Sequence, residues 1–210
     1  TVRELPDPSS LDWNSYRDLP IGLVTGTNGK TTTVRLAAHI LAAAGYRVGL
    51  SSTDYIAIGD RVIDRDDWAG PGGARTVLRH KEIDAAILET ARGGLLRRGL
   101  GVNTADAALI TNIARDHLGD FGSQNLEELM QIKWIVSRAV RDNGKLVLNA
   151  DDELLVGNAA DYPGELVWFS LEPDNEIVRA HAATGGVAFV LSVHDLLFLD
   201  GNDRELLLKD

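Results

Sequence analysis

Between the apolar run Pro20-Ile21-Gly22-Leu23-Val24 and the helix-like stretch Val34 to Ala44 the chain carries Thr25-Gly26-Thr27-Asn28-Gly29-Lys30-Thr31-Thr32-Thr33. A strand, a glycine-punctuated turn and a helix in that order make a phosphate cradle, and they commit the chain to an α/β beginning. Gly26 and Gly29 let backbone amides approach an anion, the helix N-terminus directs its free N–H groups at it, and Lys30 adds a full positive charge. Thr27, Asn28 and Thr32 complete the turn, and Thr31 is placed to offer its hydroxyl to a magnesium ion. The general P-loop pattern has another glycine where Val24 stands, so the match is to a shorter Gly-x-x-Gly-Lys-Thr form. The bland alternative is a glycine turn with an ordinary helix-starting lysine.

What the cradle serves is narrowed by composition. A length of 210 residues with 44% hydrophobic content suits one substantial core. A net charge of −10 without a dense Lys/Arg cluster argues against a nucleic-acid surface, since duplex binding rests on phosphate neutralisation. The absence of cysteine excludes disulfides, thiolate zinc and cysteine nucleophiles, and suits a cytoplasmic enzyme. No apolar run approaches membrane-spanning length, so no membrane partner is expected. The chain starts at Thr1, which leads to the expectation of a domain excised from a longer protein.

Residues 1–19 carry Pro6, Pro8 and Ser9-Ser10 without periodicity and read as an arm or linker. After the turn, Val34, Ala37, Ala38 and Leu41, widened by Leu36, Ile40 and Ala44, predict a buried helix that Gly45 stops. Arg47–Ser51 reads as a strand, and Tyr55–Ile58 with Arg61–Ile63 as a hairpin projecting from the sheet. A short helix begins at Pro71, with Val77 and Leu78 inward. Ile83–Leu88, Ala107–Ile110 and Lys145–Leu148 are nearly continuous apolar runs, as strands covered on both faces require. The last two are separated by a helix predicted over Leu126 to Val140. The fold class is therefore α/β: a P-loop-type, mostly parallel sheet flanked by helices with right-handed crossovers. From 165 onward, Ile177–Ala183, Val187–Val193, Leu196–Leu199 and Glu205–Leu208 read as a small antiparallel meander closing a domain of residues 20–210. Ligands of such sheets sit beyond the carboxyl ends of the strands. The polar segments there are Gly26–Thr31, Ser51–Asp54, Glu89-Thr90, Thr111-Asn112 and Asn149–Asp152.

Four ordered motifs carry a resemblance. Gly26-Thr27-Asn28-Gly29-Lys30-Thr31, Leu88-Glu89-Thr90-Ala91-Arg92-Gly93-Gly94, Thr111-Asn112-Ile113 with Asp116-His117-Leu118-Gly119, and Leu148-Asn149-Ala150-Asp151-Asp152 resemble the central ATP-binding domain of the Mur ligase family. Arg97-Arg98-Gly99-Leu100, Thr53-Asp54, Phe169-Ser170-Leu171 and Val178-Arg179-Ala180-His181 look most like the cyanophycin-synthetase branch of that family. The resemblance implies ATP and Mg2+ as cofactors. It implies a carboxylate, small-molecule or peptide, activated as an acyl phosphate and joined to the amino group of an amino acid. It further implies a C-terminal ligase domain, absent here, that brings the amine.

A carboxylate meeting a γ-phosphoryl group brings anions together, so cationic charge must neutralise the phosphates and the transition state. By resemblance, Lys30 does this with magnesium. Thr31 and Glu89 hold one ion, and Glu89 and His117 reach a second. Glu89 otherwise reads as a strand-end carboxylate, and His117 as an ordinary histidine with Asp116 as its orienter or a cap. Thr53, Asp54, Thr90 and Arg92 are assigned to the carboxylate substrate; turn formation for Thr53 and Asp54, and a solvated basic loop for Arg92, Arg97 and Arg98, stay open. Asn149 and Asp152 are assigned to the adenine side, with helix capping as the alternative. Lys133 falls inside the apolar stripe of Leu129, Ile132, Val136, Ala139 and Val140, where an ammonium is costly. It resembles the lysine that several Mur-type ligases carbamylate to hold the second magnesium; pairing with a carboxylate such as Glu89 is the alternative. Outside ligase chemistry, a P-loop kinase or nucleotide-dependent switch fits the same turn.

Overall fold

The strand that precedes the phosphate turn, β1 (Ile21–Thr25), has buried side chains on both of its faces and occupies an interior place in the sheet. In the computed structural model, which describes residues 19–115, 125–192, 195–201 and 203–208, β1 pairs in parallel with β5 (Ala85–Glu89) and β6 (Ala105–Ile110). Residues 1–18 of the expected arm, and the Asp116-His117-Leu118-Gly119 motif, lie outside the described residues.

Parallel pairing continues outward through β2 (Val48–Ser51) on one side. On the other it runs through β7 (Val140–Asn149), β8 (Glu165–Ser170) and β9 (Val187–Ser192). Antiparallel strands finish both edges: β3 (Ile56–Ile58) and β4 (Arg61–Asp64) beyond β2, β10 (Asp195–Asp200) and β11 (Asp203–Leu208) beyond β9. The sheet order is β11-β10-β9-β8-β7-β6-β1-β5-β2-β3-β4. The hairpin expected to project from the sheet thus extends it.

Helices cover the two faces unequally. The larger core joins α2 (Pro71–Leu78), α4 (Leu126–Trp134), α5 (Glu153–Ala159) and α6 (Glu176–Ala183) to strand residues such as Leu23, Leu88, Ile110, Leu146 and Leu148. On the other face α1 (Lys30–Ala43) lays Val34 and Ala38 on Val24, Val48, Leu50 and Ile87. It is not the buried helix its wide apolar face predicts: Leu36 and Ile40 are 57% and 58% exposed, because only the inner stripe meets the sheet. α3 (Arg92–Arg98) is a short helix directly after β5.

Two further expectations are corrected. The helix predicted over Leu126 to Val140 ends at Trp134, a tight 3-10 turn spans Ile135–Ala139, and Val140 already begins β7. Residues 177–183 are helical, not a strand of the meander. Asn175 caps them, its Oδ1 accepting from Ile177 N at 2.9 Å and Val178 N at 3.2 Å, and Val178 and Ala182 supply a buried i, i+4 pair. With β8 parallel to both neighbours, the antiparallel meander is β9-β10-β11 and starts at Val187 instead of 165.

Asn175 also donates from Nδ2 to Ala150 O and to Asp151, so it ties α6 to the end of β7. Asn175→Ala is expected to cost about 1–2 kcal/mol in urea unfolding. Gly157 lies inside α5 with open space around it. Gly157→Ala is expected to add about 0.5–1 kcal/mol in the same assay.

Candidate active site

The phosphate turn is held in shape by the segment that follows β6. Thr27 N donates to Asn112 O at 2.9 Å and Asn28 N to Asn112 Oδ1 at 3.0 Å. Thr111 Oγ1 donates to Asn28 O at 2.6 Å. Gly26 has φ 141° and a Cβ there would sit 1.8 Å from Thr111 Oγ1, so both conformation and space require glycine. Gly29, at φ 84°, turns the chain into α1, whose first N–H groups have no intrahelical acceptor. Thr32 is exposed in that first turn. The Lys30 ammonium folds back to Thr27 O at 2.8 Å.

Three oxygen-bearing side chains meet beside the turn. Glu89, only 1% exposed, accepts from Thr31 Oγ1 at 2.9 Å and from Thr53 N at 3.2 Å. Thr53 Oγ1 donates to both carboxylate oxygens at 3.1 and 3.2 Å, and lies 2.7 Å from Thr31 Oγ1. A buried carboxylate with two hydroxyls is an oxygen-only donor set, the chemistry that suits magnesium, which keeps waters and substrate phosphates as its remaining ligands. Among the described residues no group of three acidic, histidine or cysteine side chains could hold a metal by itself. His117 lies outside the described residues.

Lys133 is 4% exposed at the end of α4 and donates to Gly26 O at 2.6 Å, linking that helix to the turn. With Gly26, Thr27 and Lys30 it lines a cleft of about 600 Å3 that Trp68–Gly73 and the α3 residues Arg92, Gly93, Gly94, Arg97 and Arg98 also line. Thr90 is buried beneath, its carbonyl accepting from Thr25 Oγ1 at 2.7 Å. Asp54 faces the other way, 3.5 Å from Arg35 of α1, and its backbone joins a turn closed by Ser52 Oγ.

The candidates for the adenine side carry structural bonds. Asp152 caps α5 through Leu154 N and Leu155 N while its Oδ2 accepts from Ile113 N at 2.6 Å. Asn149 bridges Thr111 O and Asp151 N. Asp151 accepts from Ser170 Oγ and Leu171 N, locking β7 to β8.

The Trp68–Gly73 wall carries no role in the sequence reading, where Pro71-Gly72-Gly73 is only a helix start. Its signal is a tryptophan followed by three glycines and a proline within six residues, an unusual density for a helix that packs without function. The strap by Asn112 is visible in the sequence only as a polar pair at a strand end.

The family model for the Mur ligase middle domain matches residues 24–196. The chain belongs to the Mur ligase family. Its curated relatives include the cyanophycin synthetase of Crocosphaera subtropica, 41% identical over 183 residues, 87% of this chain and 21% of that protein. The chain therefore spans about a fifth of the length of that relative. A UDP-N-acetylmuramoyl-L-alanyl-D-glutamate–2,6-diaminopimelate ligase of Chlorobium phaeobacteroides is 34% identical over 61% of this chain and 26% of its own length. Among solved structures, a ligase of the same name aligns with TM-score 0.67 over 92% of this chain and 39% of its own at 19% identity. A bifunctional folylpolyglutamate synthase/dihydrofolate synthase with Mn, AMPPNP and L-glutamate bound aligns at TM-score 0.59 and 24% identity, over 90% and 48% of the two chains. Both share the fold.

Gly26→Ala is expected to destabilise the protein by more than about 3 kcal/mol, or to displace Thr111 and abolish anion binding at the turn. Denaturant unfolding with parallel nucleotide titration distinguishes the two outcomes from an unperturbed protein.

Proposed function

We propose that the chain is the nucleotide-binding, carboxylate-activating unit of an ATP-dependent carboxylate–amine ligase of the cyanophycin-synthetase branch. The observation that carries this reading is the convergence of the phosphate turn, the Thr31–Thr53–Glu89 oxygen cluster and a cationic cleft at one sheet edge. A turn shaped by Gly26, Thr27 and Asn28 presents the amides of Gly29, Lys30, Thr31 and Thr32 and the Lys30 ammonium to the nucleotide phosphates. Lys30 leaves Thr27 O for the phosphates, exchanging a neutral acceptor for a charged one. Thr31 and Glu89 hold a magnesium ion, which supplies charge neutralisation at the phosphoryl group. Thr53 keeps the Glu89 carboxylate oriented through its N–H and hydroxyl.

The acyl substrate enters the cleft and meets Arg92, which follows Glu89 by three residues. Its carboxylate oxygen attacks the γ-phosphorus of ATP as the bond to ADP breaks, and an amino group then adds to the acyl carbon, expelling phosphate and losing a proton. Asn149 and Asp152, fixed at the ends of β7 and α5, flank the adenine side. A C-terminal domain of the same protein brings the amino acid. His117, by the family resemblance, completes the metal site with Glu89.

Lys133 belongs to the same proposal. After its ammonium gives one proton to water, the Lys133 amine would add through Nζ to the carbon of carbon dioxide and lose a second proton to water, leaving a carbamate anion that would add a carboxylate-like oxygen to the metal site while its nitrogen keeps one N–H for Gly26 O. Full-length enzyme whose turnover never responds to bicarbonate, together with a bare amine in electron density, overturns this part.

Lys30→Ala is expected to weaken ATP binding about 10- to 100-fold in calorimetry with the circular dichroism spectrum unchanged. Unchanged affinity removes the cradle from the mechanism. Glu89→Gln preserves shape and removes metal charge, so magnesium-dependent turnover of the full-length enzyme is expected to collapse. Hydroxylamine trapping of an acyl phosphate by that enzyme separates ligase from kinase or nucleotide switch, for which no hydroxamate forms.

A further inference from the structure

We propose that the head of α2 is a carboxylate-binding site in the cleft, where the N–H groups of Gly72 and Gly73 and the buried hydroxyl of Ser51 hold the carboxylate of the acyl substrate. The proposal rests on the ligase reading above and gives that substrate a helix N-terminus of its own, beside the one that takes the phosphates. The backbone supplies the first argument. α2 opens Pro71-Gly72-Gly73 behind Gly70, which has no side chain to cap it, and its first turn carries no acidic residue. Proline has no N–H, and Ala74 N already donates to Gly70 O at 3.1 Å. That leaves Gly72 N and Gly73 N, neither of which has an acceptor among the described residues. Both glycines line the cleft together with Gly26, Thr27 and Lys30. Two N–H groups at the positive end of a helix therefore open on the space that receives the nucleotide. Helices that start elsewhere are closed: Asn125 caps α4, Asp152 caps α5 and Asn175 caps α6, each with a glutamate in the first turn. α1 and α2 have neither device, and the open end of α1 is the phosphate turn.

The second argument is a pair of buried donors. Ser51 Oγ and Trp68 Nε1 are buried without a hydrogen-bond partner among the described residues. Both side chains lie against the head of α2. Ser51, wholly buried, has its Cβ 2.9 Å from a Cβ placed on Gly73, and its hydroxyl is one bond further on. The Trp68 ring edge stands 3.8–4.0 Å from a Cβ placed on Gly72 and lines the cleft. A buried donor without an acceptor is unfavourable, and such a group in a native protein calls for a reason. A carboxylate oxygen held at Gly73 N gives the Ser51 hydroxyl its acceptor.

The third argument is attachment. Trp68 N donates to Ser52 O at 2.9 Å and Ala91 N to Ala69 O at 3.2 Å. The two strand ends that carry Thr53 and Glu89 thus also carry the approach to α2. A carboxylate bound through one oxygen at Gly72 and Gly73 keeps its other oxygen for the γ-phosphorus.

The test is amide-proton NMR of the full chain, loaded with Mg-AMPPNP and titrated with N-acetylglycine or with its neutral amide, N-acetylglycinamide. The Gly72 and Gly73 amide protons are expected to move downfield to saturation with the carboxylate, and the neutral amide to bind at least about tenfold more weakly. Gly72 has room for a side chain, so Gly72→Asp places a competing carboxylate at the two amides while Gly72→Asn brings the same bulk without charge. The Asp variant is expected to bind N-acetylglycine at least about tenfold more weakly than the Asn variant. Ser51→Ala is expected to raise the urea midpoint, because it removes an unpartnered buried hydroxyl, and to weaken N-acetylglycine about threefold. No loss of affinity in that variant overturns the hydroxyl's part. Equal affinity for the two ligands, no binding of N-acetylglycine, shifts confined to residues 29–32, or equal affinity of the Asp and Asn variants, in protein that still binds Mg-AMPPNP, overturns the site alone. Wild-type protein that binds no Mg-AMPPNP overturns the ligase reading beneath it.

Discussion

The bond from the Thr111 hydroxyl to Asn28 O, with the paired bonds of Thr27 and Asn28 to Asn112, is what gives the phosphate turn its form. A glycine-rich loop alone has many conformations, and only an outside strap selects the one in which its amides and the α1 N-terminus face the same point. Everything else at this edge depends on that selection. Lys133 meets Gly26 O because the Gly26 peptide is fixed, and Thr31 reaches Glu89 because α1 starts where Gly29 puts it. The strap also takes up two N–H groups of the turn, so anion contact falls to the amides from Gly29 onward and to the Lys30 side chain.

Glu89 shows how the sheet supplies chemistry. It ends a strand whose five residues are all buried, and its carboxylate is kept in that setting by hydroxyl and amide donors. A buried carboxylate without such donors is unfavourable, and one with them is ready for a cation. Thr53 thus does more for Glu89 than the turn chemistry of Ser52–Tyr55 suggests, and Asp54, its neighbour, stands 3.5 Å from Arg35.

Much of this was legible in the sequence because it is local. The turn, the buried strands and the polar strand ends follow from spacing and periodicity, and they place Lys30, Thr31 and Glu89 together. Residues 177–183 resemble a strand in sequence because an eight-residue helix with two buried side chains leaves almost no periodic signal, and the cap that starts it is a single asparagine, Asn175. The exposure of Leu36 and Ile40 was invisible, since apolar residues on a helix do not say how much sheet lies under them. The donors to Asp151 and Asp152 are equally hidden: both acids follow a strand end, but Ile113 N and Leu171 N reach their oxygens from 39 and 20 residues away in the chain. The Trp68–Gly73 wall escaped because glycine clusters near a proline also describe an ordinary helix start.

The interior position of β1 has a consequence for how the site comes into being. Thr25 finds Thr90 across 65 residues and Thr111 across 86, so the strand made early has its neighbours supplied much later. Pairings so distant in the chain close slowly, because loop entropy is spent before they stabilise anything. During synthesis the turn, its lysine and α1 emerge without the strand edge or the strap that shapes them. The shape of the turn is therefore a late property of the assembled sheet, absent from any growing chain that has not yet passed Asn112.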